Sequence, residues 1–94
     1  MQRYITSGVN EQISIDIQLF CWQCYDIAKV KHEHDYLQVF ELKAVGEHTQ
    51  QIEHRQEVPT YKQIYHLKSI NPINQKIFII DEGEYATMLL AEEY

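Results

Sequence analysis

Residues 77–91 read IFIIDEGEYATMLLA: two apolar runs, Ile77-Phe78-Ile79-Ile80 and Met88-Leu89-Leu90-Ala91, with the acidic stretch Asp81-Glu82-Gly83-Glu84 between them. Strand formers on both sides of a short Gly-containing turn predict a β-hairpin, in which Gly83 supplies the positive φ of a type I turn with a G1 bulge. The apolar residues run continuously instead of alternating, so both faces of this hairpin are expected to be at least partly covered. One helix covers only one face. The other face needs a second layer, a returning loop or another copy of the chain, and on that ground a homodimer is expected.

The covering helix is predicted from residue 15 to about 31. Ile17, Phe20, Cys21, Cys24, Ile27 and Ala28 recur at steps of three and four, which makes an amphipathic stripe. Ser14 suits the N-cap, Asp16 the positive end of the helix dipole, and Lys29 and Lys31 the negative end. Around this helix, residues 3–6 predict a short strand followed by a turn at Gly8 and Asn10. Residues 36–45 predict a strand with a bulge at Val39-Phe40, turned by Gly46. The stretch HTQQIEHRQEV, followed by Pro59, suits an exposed polar strand at a sheet edge or strand end. Residues 60–68 (TYKQIYHLK) alternate with Tyr61 and Tyr65 on one face, and Asn71-Pro72 opens a loop. The expected fold is α+β: one amphipathic helix on an antiparallel sheet of about five strands, the 76–92 hairpin at its centre.

At 94 residues the chain makes one domain, and 45% hydrophobic residues with 12% aromatics suffice for a core. No apolar run exceeds four residues, far short of the ~20 that cross a bilayer. The start MQRYITSGVN has no secretory h-region, and two Cys do not make a disulfide framework, so a cytoplasmic location is expected. The formal net charge is −6, unevenly spread. All eight Lys and Arg precede residue 77 beside nine acids, and the remaining five acids, Asp81, Glu82, Glu84, Glu92 and Glu93, fall in the last 18 residues. Without a basic run, direct binding to nucleic acid is not expected. The acidic end instead suits a basic protein partner.

Three constellations invite a chemical reading. Cys21-Trp22-Gln23-Cys24 has redox spacing but falls inside the apolar stripe of a helix, away from the exposed helix N-terminus that lowers a thiol pKa, so buried core cysteines are expected. With His32 and His34 the pair forms C-x2-C-x7-H-x-H, a zinc set by count whose spacing matches no familiar finger. No metal is expected, and His32-Glu33-His34-Asp35 reads as a polar turn. Glu53-His54-Arg55-Gln56-Glu57 places acids, a base and an Arg in one run, and with Tyr61 forms an alternative binding surface. It matches no H-E-x-x-H or H-x-x-E-H pattern, and the chain has neither a nucleophile elbow nor a Gly-rich phosphate loop, so no catalytic residue and no cofactor are assigned.

RYITSGVN near the start, ISIDIQLFCWQC, DYLQVFEL, QQIEHRQEVP and KIFIIDEGEYATMLLAEEY together resemble a small Firmicutes and staphylococcal family, the domain-of-unknown-function family numbered 960. The resemblance covers nearly the whole chain, with QEVP and IDEGEYATMLLAEEY as its specific blocks. It implies no activity and no catalytic residues. It does imply a mobile-element setting, since such proteins occur in chromosomes, phages and staphylococcal cassettes. The function expected from all of this is a non-enzymatic interaction module whose acidic surface, Asp81, Glu82, Glu84, Glu92 and Glu93, binds a basic partner, such as a protein that handles nucleic acid. A small enzyme or ligand-binding domain using the Glu53–Glu57 run, and a structural homo-oligomer, are the alternatives.

Overall fold

The computed structural model describes residues 2–31 and 34–94. In chain order the elements are β1 (Gln2–Ile5), α1 (Ser7–Gln12), α2 (Ile15–Lys31), β2 (Leu37–Ala44), β3 (Thr49–Gln56), β4 (Tyr61–Lys68), β5 (Gln75–Asp81), β6 (Tyr85–Leu90) and a final 3-10 turn, Ala91–Glu93. The strands form one sheet in the order β1-β6-β5-β2-β3-β4. Every neighbouring pair is antiparallel except β1 and β6, which run parallel, Arg3 opposite Ala86 and Ile5 opposite Met88. The fold is thus α+β with a mixed sheet of six strands, where about five antiparallel strands were expected. The sixth strand arises because β1 re-enters beside β6, the far strand of the hairpin, instead of beside its sequence neighbours. β5 takes the centre and β6 stands one strand from the edge.

Side chains alternate across a strand, so paired residues share a face. On one face lie Arg3 and Ile5 of β1, Ala86, Met88 and Leu90 of β6, Ile77, Ile79 and Asp81 of β5, and Gln38, Phe40 and Leu42 of β2. β3 and β4 continue it with Gln50, Ile52, His54 and Gln56, then Tyr61, Tyr65 and Leu67. Both helices cover this face: Val9 of α1 and Ile17, Cys21, Trp22, Cys24 and Tyr25 of α2 join Phe40, Leu42, Ile52, Ile77, Ile79, Met88 and Leu90 in one core. Burial of each such aliphatic or aromatic side chain is worth about 1.5–3 kcal/mol.

α2 has the bounds read from the sequence, and the Ile17 amide donates to Ser14 Oγ at 3.5 Å. Its buried stripe is rotated from the expected one. Trp22 and Tyr25 are buried, whereas Phe20 is half-buried and Ile27 is exposed. On the rotated side β1 meets the helix, its Arg3 guanidinium 4.7 Å from the Trp22 ring centre and paired with Asp26. Cys21 and Cys24 are buried free thiols, as expected, and burial pushes the Cys24 thiol up to about 11. His32 and Glu33 lie outside the described residues.

Three local expectations are corrected. Residues 7–12 form helix α1 instead of a turn at Gly8 and Asn10, because Thr6 Oγ1 caps it by accepting from the Val9 amide. β2 carries no bulge: its register with β3 runs unbroken through Val39 opposite Arg55 and Phe40 opposite His54. β3 is neither an edge nor an exposed strand, because β4 pairs along its whole length and takes the edge.

Candidate interaction surface

The five acids of the chain end do not act together. Asp81 projects from the end of β5 toward α2, where its Oδ2 accepts from the Tyr25 hydroxyl at 2.7 Å, lies 3.0 Å from His34 Nε2 and 3.4 Å from Lys29 Nζ. Its Oδ1 accepts from the Gly83 amide at 2.8 Å, which fixes the hairpin turn with Gly83 at a φ of 96°. Burial pushes this carboxyl up, but the hydrogen bonds from Tyr25 and Gly83 and the Lys29 ammonium outweigh it and hold it below the ordinary carboxylate value. The same contact, after burial, pushes the Tyr25 hydroxyl upward.

Glu93 is likewise engaged within its own chain, although it stays exposed. It accepts from Thr6 Oγ1 at 2.6 Å, the Leu90 amide at 2.8 Å and the Gly8 amide at 3.3 Å, and these bonds hold its carboxyl below the ordinary range. A Cβ on Gly8 would stand 2.6 Å from Glu93 Oε2 and 2.8 Å from Leu90 Cδ1, so a larger residue there would have to displace the ends of these two side chains. Glu92 accepts from Gln75 Nε2 at 3.1 Å. Glu82 and Glu84 stand exposed at the turn. The six residues of β6 separate that turn from Glu92 by roughly 20 Å at ~3.3 Å per residue.

Strand alternation also divides the 53–61 run. Glu53 and Arg55 point to the uncovered side of the sheet, where Arg55 pairs with Glu53 at 2.8 Å and Glu41 at 3.5 Å. His54 points into the core, where an exposed residue was expected, and is 1% accessible. Its ring stacks on Phe40 at 4.5 Å and meets the edge of Tyr61 at 5.4 Å. His54 Nε2 donates to Gln38 Oε1 at 2.7 Å, Gln38 Nε2 donates to Gln56 Oε1 at 2.7 Å, and Gln56 Nε2 donates to the Pro59 carbonyl at 2.8 Å. This chain satisfies buried amides and ties β2, β3 and the cis Val58–Pro59 turn together. Glu57 lies exposed in that turn. The acids, the base and the Arg of the run therefore never share one surface.

A groove of about 430 Å³ opens where α2 begins beside the end of β4, lined by Ser14, Asp16, Ile17, Gln50, Leu67 and Lys68 among others. Neither expected residue group lines it. Its buried amide, Gln50, is already engaged by the Ile73 amide and the Lys43 and Ile73 carbonyls.

The sheet's second face is the one for which the continuous apolar runs predict a second layer, a returning loop or another copy of the chain. Among the described residues no helix lies on it. Leu37 and Val39 of β2, Phe78 and Ile80 of β5 and Leu89 of β6 form its apolar middle, in which Val39 and Leu89 are buried and Leu37, Phe78 and Ile80 half-buried. Tyr4 and Tyr85, ring edge to face at 5.8 Å, flank it on one side, and Tyr94 folds back to meet Phe78 at 5.5 Å. Tyr4, Tyr85 and Tyr94 are exposed. The β2–β4 half is charged instead, with Glu41, Lys43, Glu53, Arg55, Lys62 and Lys68. The signal was present in the continuous runs 77–80 and 88–91, whose second apolar set has nowhere else to point.

The fold has a solved counterpart. A crystal structure of a protein of unknown function from Enterococcus faecalis superposes with a TM-score of 0.82 at 22% identity, over 99% of this chain and 90% of that one, a likeness of fold alone. None of the curated proteins matches the chain significantly. A family model described as staphylococcal protein of unknown function matches residues 2–93. On that match across nearly all of its length, the chain belongs to that family, number 960 of the domains of unknown function.

Proposed function

We propose that this protein is a non-enzymatic interaction module whose uncovered sheet face docks a basic partner protein, with Glu82 and Glu84 at one end of the apolar strip and Glu92 near the other. The observation that carries this reading is the uncovered face itself: Phe78, Ile80 and Leu37 are only half-buried in the free chain, beside three exposed tyrosines. Contiguous apolar surface of this kind marks interaction sites, and tyrosine is among the residues that anchor them. Asp81 and Glu93 serve the same purpose indirectly, by holding the hairpin turn and the chain end in place. The acids at the two ends attract a basic surface, and a partner that itself handles nucleic acid presents one, which accords with an accessory or inhibitory role in a mobile element.

The test is affinity capture from a host lysate at low and high salt, comparing the wild-type chain with E82K/E84K and with I80S. A basic protein held by the wild type, released by salt and lost in both variants is the expected result. Identical profiles for all three chains, or retention insensitive to salt, would overturn the proposal.

A further inference from the structure

The outer side of α2, turned away from the sheet, is apolar as well. At ~100° per residue, positions 15, 19, 23, 27 and 30 fall on that side. They hold Ile15, Leu19, Gln23, Ile27 and Val30, and the four aliphatics are exposed by 63, 57, 49 and 86% respectively. A single exposed aliphatic is ordinary. Four on one stripe of the long helix, spanning about 22 Å at 1.5 Å per residue, are a surface. Helix propensity does not account for them, because Ile and Val are poorer helix formers than Lys, Glu or Gln.

The stripe is self-complementary about Gln23. When two copies of α2 run antiparallel with a two-fold axis at Gln23, Leu19 of each faces Ile27 of the other, twice, and the two Gln23 amides meet on the axis. In the same register Asp16 of each lies opposite Val30 of the other, between Lys29 and Lys31, and Ile15 lies opposite Lys31, along whose stem it packs. A parallel pairing would instead bring Asp16 to Asp16 and Lys31 to Lys31. Asp26, also on the outer side, is already paired with Arg3 of its own chain and adds no unmatched charge. We propose that α2 pairs antiparallel with α2 of a second copy of this chain about this axis. One helix pair of this length falls at the low end of specific interfaces, below ~1,200 Å², so the dimer is expected to be weak and reversible. It lies on the opposite side of the molecule from the uncovered sheet face and leaves two such faces free for bivalent binding.

The test uses the full chain in two readouts. Sedimentation over a micromolar concentration series should show a reversible dimer, weakened at least about tenfold by L19D/I27D, with the monomer still folding cooperatively because about half of each side chain is already exposed. Under mild oxidation Q23C should form a disulfide-linked dimer much faster than K43C, a variant on the uncovered face, with the wild type as blank for Cys21 and Cys24. Facing Cβ atoms at the axis of an antiparallel pair come within disulfide reach. A monomer throughout the series, a dimer indifferent to L19D/I27D, or equal cross-linking of Q23C and K43C would overturn the proposal.

Discussion

The two faces of one sheet put similar residues to opposite uses. On the covered face even the polar side chains are committed: Gln38, Gln56 and His54 bond one another, Gln50 ties β3 to Ile73, and Asp81 gathers Tyr25, His34, Lys29 and the Gly83 amide. On the other face Phe78, Ile80 and Leu37 keep part of their surface in water, and the charged half pairs Arg55 with Glu41 and Glu53 while Lys43, Lys62 and Lys68 leave it with an excess of positive charge. The difference teaches that neither apolar character nor charge marks function in this protein. What separates structure from surface is which residues have spent their contacts.

The contrast is sharpest between two phenylalanines from adjacent strands. Phe40 is fully buried against His54, and Phe40→Ala should cost about 3–5 kcal/mol in urea unfolding. Phe78, half-buried with the Tyr94 ring edge at 5.5 Å and the Lys76 ammonium at 5.9 Å, should cost about 1 kcal/mol on the same change, a fraction of the transfer free energy of a fully buried ring. Equal costs would show that the second face is as much core as the first.

Asp81 comes next. Asp81→Ala leaves the Tyr25 hydroxyl and His34 without their acceptor and should cost roughly 1–3 kcal/mol. Because the folded carboxyl lies below its ordinary value of 3.8, its contribution is fully present above that pH and is lost as the pH falls through the folded value. Acid unfolding below about 3.8 should therefore be less steep in Asp81→Asn than in the wild type. A parallel pH dependence in the two proteins would remove Asp81 from the covered face's network. A smaller effect is expected at Thr6, the cap of α1 and partner of Glu93. Thr6→Ala should lower stability by about 1 kcal/mol, and hydrogen exchange should show α1 opening first.

Much of this was legible in the sequence. The 77–91 hairpin, α2 and the strand with Tyr61 and Tyr65 on one face follow from periodicity and turn chemistry that act locally. What was not legible depended on neighbours distant in the chain. β1 pairs with β6 across some eighty residues, and that pairing added a sixth strand and brought Arg3 to the Trp22 ring. His54 sits in a run of polar letters, but its neighbours in the register, Phe40 and Gln63, decide that it faces the core. Likewise the five terminal acids looked alike as letters. Thr6, Gly8, Tyr25 and His34, all far away in sequence, engage Glu93 and Asp81 and leave Glu82 and Glu84 free.

The smallest effect on stability should come from those two free acids, and it carries the most weight for function. Glu82 and Glu84 are exposed at the β5–β6 turn. The turn is held by the Gly83 amide on Asp81 and by the Glu82 amide on the Tyr85 carbonyl, and neither bond uses a glutamate side chain. E82Q/E84Q should therefore shift unfolding by less than about 0.5 kcal/mol. Yet if the uncovered face recruits a basic partner, the same change should slow association and flatten its salt dependence, because charges at a rim act mainly on encounter. Unchanged stability with altered association would set these acids apart from Asp81 and Glu93, whose loss is felt in the fold itself. Unchanged association would leave the apolar strip to bind without them, and would take the charge out of the partner's description.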